Sequence, residues 1–405
     1  MPELVHELVF DPMSLDTHEN PFPLYTRLRE EAPVYYNEEH DFWALSRFAD
    51  VMAAEDEWAT FTGRYGVDLD DTSNQFGDGI PPRGFFLGYD PPRHTDIRRA
   101  MHGTFLPRSL KEFEPMIRAR CNSLVEAFID KGSADLVDEF ATPYPDLVFA
   151  EIIGFPPEQH ARLSKLLRTA LLRDIVNLPP PFIPQIGLDA GGQMRAALKQ
   201  IVEKRRSEAP RDDLLGRLLL ADVEAEPMPA EEIVGIVFFI FTAGTEEVTG
   251  LITNALRLLA EHPDQRAMLL ENPAGIATAV EETLRYETIV QHLVKRPTRP
   301  VELHGRTIPE DARVLLLYGS ANRDERVFEN AESYDITRRI TKLASFGGGI
   351  HRCLGAPLAR LEAKIALETL LPLLGEYTIA DDIEWSQRVN FRGLRKLPLA
   401  WTRRP

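Results

Sequence analysis

Cysteine is scarce in this 405-residue chain: it occurs only as Cys121 and Cys353. Two isolated thiols imply no disulfide framework, which fits a reducing cytosol. Basic charge is also short. Lys and Arg number 46 against 63 Asp and Glu, for a net charge of −17, and so acidic a chain argues against nucleic acid as a partner. Long hydrophobic runs are missing too. Met1 to Tyr25 intersperses apolar residues with Glu3, Glu7, Asp11, Asp16 and Glu19 and has no basic n-region, so neither a signal peptide nor a membrane anchor is expected and the chain reads as cytoplasmic. The most apolar internal run, Ile233 to Ala243, is too short to span a bilayer and is flanked by Glu231, Glu232, Glu246 and Glu247, which predicts a buried helix instead. There is no repeat, no low-complexity tract and no strand–helix Gly-x-Gly-x-x-Gly signature for a flavin or nicotinamide cofactor.

What is present is mostly helical periodicity. The length predicts two subdomains or one large helical domain carrying small sheets. A short helix is expected over Leu24 to Glu31, with strands at Val34-Tyr35-Tyr36 and Phe42-Trp43-Ala44-Leu45. Thr62 to Asp90 is a long connection rich in Gly, Asp and Pro, of a kind that is usually functional or mobile. Helical patterning resumes from His94 to about Gln200, broken by the proline-rich stretch Asn177 to Gly187. One long helix is predicted from Pro229 to Ala260 and another from Pro273 to Tyr286. A strand-like stretch follows over Val290 to Leu303, then a hairpin through Gly305 and a buried strand at Val314 to Tyr318.

The densest chemistry lies in Phe346-Gly347-Gly348-Gly349-Ile350-His351-Arg352-Cys353-Leu354-Gly355. A cysteine near ~8.5 in isolation becomes a thiolate ligand beside basic groups, a cationic metal or a helix N-terminus. Leu354 to Arg360 reads as a helix start that tolerates Pro357 in its first turn and aims its amides at the sulfur. The glycines let backbone approach a flat ligand. This loop resembles the haem-ligand loop of the cytochrome P-450 family, and further landmarks of that family follow in order along nearly the whole chain. The resemblance implies one P-450 domain over residues 1–405, mainly α with small β-sheets. Its β-rich parts would lie near 30–60 and 290–320 and its helical parts over 90–286 and 354–375. It also implies haem b (iron protoporphyrin IX) with Cys353 as the iron ligand. A thiolate axial ligand pushes electron density onto the iron and favours O–O cleavage.

Other family positions can be carried over residue by residue. Glu282 and Arg285 stand three apart on one helical face and can pair; they match the family's Glu-x-x-Arg element, with Arg338 as the implied third member of a network that holds the cysteine loop. His94 and Arg98, four apart near a helix start, can address one anionic group, and the resemblance assigns them, with His351, to the haem propionates. Phe346 and Gly347 belong to the same cofactor-binding loop. A further basic partner falls at Lys295, where most relatives have arginine, or at its neighbour Arg296; strand alternation lets only one of them face the haem, and Lys295 is favoured.

Within the long helix, Phe241-Thr242-Ala243-Gly244-Thr245-Glu246-Glu247 carries a mid-helix glycine that costs about 1 kcal/mol and so marks a close approach or a distortion. In the family, Ala243 and Gly244 would lie over the haem face where dioxygen binds. The next two positions usually read acid then threonine, and here they read Glu246 then Glu247. A carboxylate at Glu247 could shuttle protons, or repel negative charge unless burial keeps it protonated. Three readings stay open: a native variant of the monooxygenase proton relay, an enzyme that uses hydrogen peroxide directly, and an introduced Thr→Glu replacement.

Pocket residues implied by the resemblance are Ile80, Phe85, Phe86, Phe182, Phe239, Ala243, Val290 and Leu293, mostly apolar, which predicts a hydrophobic organic substrate. Electrons would come from an acidic ferredoxin with a separate reductase, docking on Arg99, Arg108, Arg352 and Arg360. A monomer is expected. The function expected is a haem-thiolate monooxygenase, with a peroxygenase as the enzymatic alternative and a haem-based sensor as the non-enzymatic one.

Overall fold

The computed structural model describes residues 8–69, 83–170, 185–386 and 389–402. Helices α1 (Leu15–Glu19) and α2 (Phe22–Glu31) lead into the hairpin of β1 (Val34–Asn37) and β2 (Phe42–Leu45), then α3 (Phe48–Asp56) and β3 (Phe61–Thr62). The helical body continues with α4 (Arg93–His102), α5 (Pro107–Phe128), strand β4 (Ser133–Asp135), α6 (Pro143–Ile153), α7 (His160–Ala170), α8 (Gln185–Arg206) and α9 (Leu214–Leu219). After the small hairpin of β5 (Asp222–Val223) and β6 (Glu226–Pro227) come α10 (Ala230–Glu261), α11 (Pro263–Glu271) and α12 (Ile276–Tyr286). Strands β7 (His292–Pro297), β8 (Val301–Leu303), β9 (Arg306–Ile308) and β10 (Val314–Leu317) precede the single turn α13 (Tyr318–Ala321). The chain closes with α14 (Ala356–Leu374), β11 (Tyr377–Ile379), β12 (Glu384–Trp385), β13 (Leu394–Lys396) and β14 (Pro398–Trp401).

The two predicted β-rich regions combine into one sheet of order β1-β2-β10-β7-β3. β10 is its centre, parallel to β2 and antiparallel to β7, with Val314 opposite both Trp43 and Lys295. All four of its residues are buried, as a continuous apolar run requires. Local chemistry moved some boundaries. α2 begins at Phe22, two residues early, because Pro21 and Pro23 occupy helix-start positions whose N–H groups have no partner to lose. The stretch Val290 to Leu303 is two strands, broken after Pro297, and β8 and β9 join through His304 and Gly305 with φ +49° and +73°, as a tight hairpin turn demands. In the proline-rich stretch, residues 177–184 lie outside the described residues, while α8 already starts at Gln185.

α10 runs through the middle, against α6, α8, α12 and α14. At 32 residues it is much longer than its apolar run and is, by length and composition, long enough to cross a membrane. More than half of that apolar window is buried against the rest of the fold, so it acts as a core helix. Its flanking acid Glu232 is buried and paired with Arg93 of α4, which also reaches Glu224 at 2.6 Å.

One crossing fixes the segment before α4 onto this helix. A Cβ on Gly235 would lie 2.0 Å from the Arg83 carbonyl oxygen, and one on Gly84, where φ is +89°, would lie 2.5 Å from Gly235 Cα. Backbone therefore meets backbone at two glycines. Gly235→Ala is expected to cost roughly 2 kcal/mol or more through this overlap. Gly191→Ala, in α8 with nothing within 4 Å of the added methyl, should instead gain about 0.5–1 kcal/mol of helix propensity. Thermal melts of the two variants should move in opposite directions.

Candidate active site

The cysteine loop is folded by its glycines. Gly347 and Gly349 have φ of +60° and +54°, and a Cβ on Gly349 would come within 2.2 Å of the Glu55 carbonyl oxygen at the end of α3. The Cys353 amide donates to the Phe346 carbonyl at 2.9 Å, closing the loop. Cys353 is exposed, but its exposure is toward the cavity it lines, whose protein walls desolvate the sulfur. That desolvation raises its pKa first, the charge of Glu247 adds to the rise, and the amides of Gly355 and Ala356 and the charge of Arg98 oppose it. The predicted helix start thus delivers its amides to the sulfur.

Behind the loop lies the buried ion pair. Glu282 and Arg285 are fully buried and joined by two contacts of 2.7 Å, and Arg338 Nε lies 3.2 Å from Glu282. Arg285 also donates to the carbonyls of Asn322, Ala331 and Ser333. From there a relay that the sequence did not reveal reaches the loop. Asn322 donates to Thr288 and Ser345 and accepts from the Ala344 amide, while Ser345 donates to the Leu284 carbonyl at 2.6 Å. Ser345 directly precedes Phe346.

One wall of the cavity collects cations. His94 is buried between the stacked ring of Phe86, 4.8 Å away, and the ring of His351, 4.5 Å away. Burial, helped by Arg98 and Lys295, lowers His94 to about 4 and His351 to about 2. His94 Nε2, Arg98 Nη1 and both ring nitrogens of His351 are buried without a hydrogen-bond partner. Arg98 spends its other arm on the Arg352 carbonyl at 2.8 Å. Lys295 lines the same cavity and is 3% exposed. Arg296 does not belong here: strand alternation turns it to Asp311 at 3.3 Å and over the Tyr65 ring.

The opposite wall is a stripe of α10: Phe239, Ile240, Ala243, Gly244, Glu247, Val248 and Leu251 recur at helical spacing along one face. Gly244 is there because Phe149 of α6 presses on it; a Cβ would meet that ring at 2.2 Å. Glu246 falls off the stripe and does not line the cavity. It acts electrostatically on Asp146 of α6, a buried carboxyl 3.9 Å from Arg168 Nε of α7.

The cavity and its opening to solvent together span about 1410 Å³. Of the pocket residues expected from the sequence, Phe86, Phe239, Ala243, Val290 and Leu293 line it. Phe85 does not; it supports the wall by packing edge-on to Phe239 at 5.5 Å. Ile80 and Phe182 lie outside the described residues. Val67, Leu87, Ile289, Glu55 and Tyr318 also line it and were missed. Of the docking arginines, Arg108 and Arg352 are exposed and Arg99 is exposed beside Asp96. Arg360 is instead committed to Glu281, at 2.9 Å through Nη2, and lies 4.4 Å over the Phe346 ring.

A flat group with one metal-ligand face and two carboxylates fits this chamber. The orphaned donors of His94, Arg98 and His351 need acceptors, and a single sulfur faces the interior. Among the described residues no group of three or more His, Cys, Asp or Glu could hold a metal ion by itself.

Asp146 gives this region a pH signature. Burial pushes its carboxyl up to about 7, with Glu246 adding to the rise and Arg168 and Ser164 opposing it. The folded chain therefore keeps a proton that the unfolded chain releases near about 4, and stability falls as pH climbs through that window. Asp146→Asn should melt at a higher temperature than the parent above pH ~7, with the gap closing toward pH ~4; melting temperature against pH checks it.

Comparison with known proteins agrees with this geometry. The family model described as Cytochrome P450 matches residues 67–274 and 276–373. The chain is 38% identical over 399 residues to a protein of Mycobacterium tuberculosis named putative cytochrome P450 123, covering 97% of both chains. Among solved structures it is similar to cytochrome P450 CYP109Q5 from Chondromyces apiculatus, with a TM-score of 0.85 and 32% identity over 98% of both chains. It is likewise similar to P450BioI, solved in complex with an acyl carrier protein ligated to hexadec-9Z-enoic acid, with a TM-score of 0.85 and 30% identity over 96% of this chain and 100% of that one.

Proposed function

The chain belongs to the cytochrome P450 family of haem monooxygenases, and on that footing we propose that it inserts one oxygen atom from O2 into a hydrophobic organic substrate, with electrons from a separate ferredoxin and reductase. The observation that carries this reading is a single cavity with Cys353 on one wall, the α10 stripe on the other and an apolar remainder. Haem b, bound through Cys353, supplies the activation of dioxygen, to which the thiolate lends electron density. The residues do the rest. The Gly355 and Ala356 amides hold the sulfur as an acceptor, His94, Arg98, Lys295 and His351 take the propionates, and Phe239, Val290 and Leu293 orient substrate and exclude water. Glu247 holds and passes protons at its carboxyl into the cavity, and Glu246 with Asp146 lies behind it on the far side of α10.

The lining of Glu247 favours a second reading, in which hydrogen peroxide replaces O2 and the electron chain. A carboxylate on the cavity wall can take a proton from incoming peroxide and return it. Glu247→Thr should then lower peroxide-supported product formation by on the order of 10²-fold while reductase-supported turnover is kept or rises. Equal peroxide-supported rates in the two proteins would remove Glu247 from the reaction.

The electron donor would meet the face bearing Arg108 and Arg352, both exposed on an acidic chain. Long-range attraction of an acidic ferredoxin to such a face raises its association rate and weakens with salt. Arg108→Glu is expected to slow ferredoxin-supported turnover several-fold at low salt and to spare peroxide-supported turnover; equal losses in both assays would move the docking face elsewhere.

A further inference from the structure

The cation wall contains an acid. Glu55, near the C-terminal end of α3, is 4% exposed and lines the cavity. One oxygen accepts the Tyr318 hydroxyl, and the other lies 3.9 Å from Lys295 Nζ. Its backbone and Cβ brace Gly348 and Gly349 of the cysteine loop. Tyr318 is fully buried with it, and its pKa is driven well above the usual tyrosine value by burial first and by the Glu55 charge second.

Charge counting makes this placement unusual. The wall offers two side chains of fixed positive charge, Arg98 and Lys295, beside the packed rings of His94 and His351. Two propionates would match them one for one. Lys295 is already shared with Glu55, and a lysine is a compact point charge without the two-armed fork that lets arginine hold two carboxylates side by side. Once the two propionates are seated, three carboxyl groups share Arg98 and Lys295, in a poorly screened interior.

We propose that Glu55 is a fixed counter-charge at the propionate wall: it competes with a propionate for Lys295, loosens the haem and holds the haem reduction potential low. The inference rests on the haem-site reading above. A negative charge beside the propionates would favour the ferric over the ferrous state, so removing it would raise the potential. Removing it must also relieve repulsion of the propionates, so haem must be held more tightly. A residue that only fastened α3 to the loop would give the opposite result for haem retention.

The test uses the holoenzyme, with two readouts: the rate of haem transfer to excess apomyoglobin, and the midpoint potential from spectroelectrochemistry. Glu55→Gln keeps the shape and the acceptor for Tyr318; it should slow haem loss roughly three- to tenfold and shift the potential upward. Tyr318→Phe removes the donor that spreads the Glu55 charge, so it should speed haem loss and lower the potential, and both effects should vanish in the Glu55→Gln background. Faster haem loss in Glu55→Gln, or an unchanged or lower potential, overturns the proposal, as does a Tyr318→Phe effect that persists without the Glu55 charge. Failure of the haem-site reading itself would show separately, as a parent protein whose reduced, carbon monoxide-treated form lacks the thiolate-haem Soret band.

Discussion

A guanidinium sealed from water governs much of this molecule. Arg285 is fully buried, and each of its five N–H groups needs an acceptor inside the fold. Glu282 takes two, and the carbonyls of Asn322, Ala331 and Ser333 take the others. Burying such a pair gains little stability by itself, because desolvation offsets the attraction. What it secures is geometry. The irregular stretch from Asn322 to Ser345 has almost no regular structure of its own, and these bonds decide its path. Asn322 and Ser345 pass that path on to Phe346, and so to Cys353.

Around the cavity, charge is distributed by wall. The sulfur side carries helix amides and basic side chains, which favour anions. The α10 side is apolar apart from Glu247, and the two face each other across a mostly apolar-walled space, where single charges are weakly screened. Two glycines permit this closeness in different ways. Gly244 lets an aromatic ring from α6 rest on α10, and Gly235 lets the segment carrying Phe86 and Leu87 touch the same helix about one turn before the cavity stripe begins.

How much of this could be read from the sequence depended on whether the signal was local. The long central helix showed itself through its all-round apolar first half, the Glu282–Arg285 pair through its spacing, and the cysteine loop through three adjacent glycines. That only one of Lys295 and Arg296 could face the cavity followed from the period of a strand, while the choice of Lys295 came from the family resemblance. The misses share a different character. Glu55 sits among Ala54, Asp56 and Glu57 and looks like any solvated helix-end acid; only the arrival of β7 and α13 from 240 and 263 residues away gives it Lys295 and Tyr318. Arg360 looked like surface charge for the same reason, since its partners Glu281 and Phe346 come from other segments. Asn322 and Ser345 are single polar residues in a stretch with no periodicity. Phe85 and Phe86 adjoin, and only the tight turn after them decides which ring faces inward.

Glu281 and Glu282 are neighbours on α12, and a helix sends adjacent side chains about a hundred degrees apart. One carboxylate grips Arg360 at the head of α14, downstream of the sulfur; the other grips Arg285 and Arg338, which organise the chain upstream of it. Both flanks of the thiolate therefore hang from consecutive rungs of one rod. A displacement of that rod would move the two flanks together and leave the span of peptide between them unchanged.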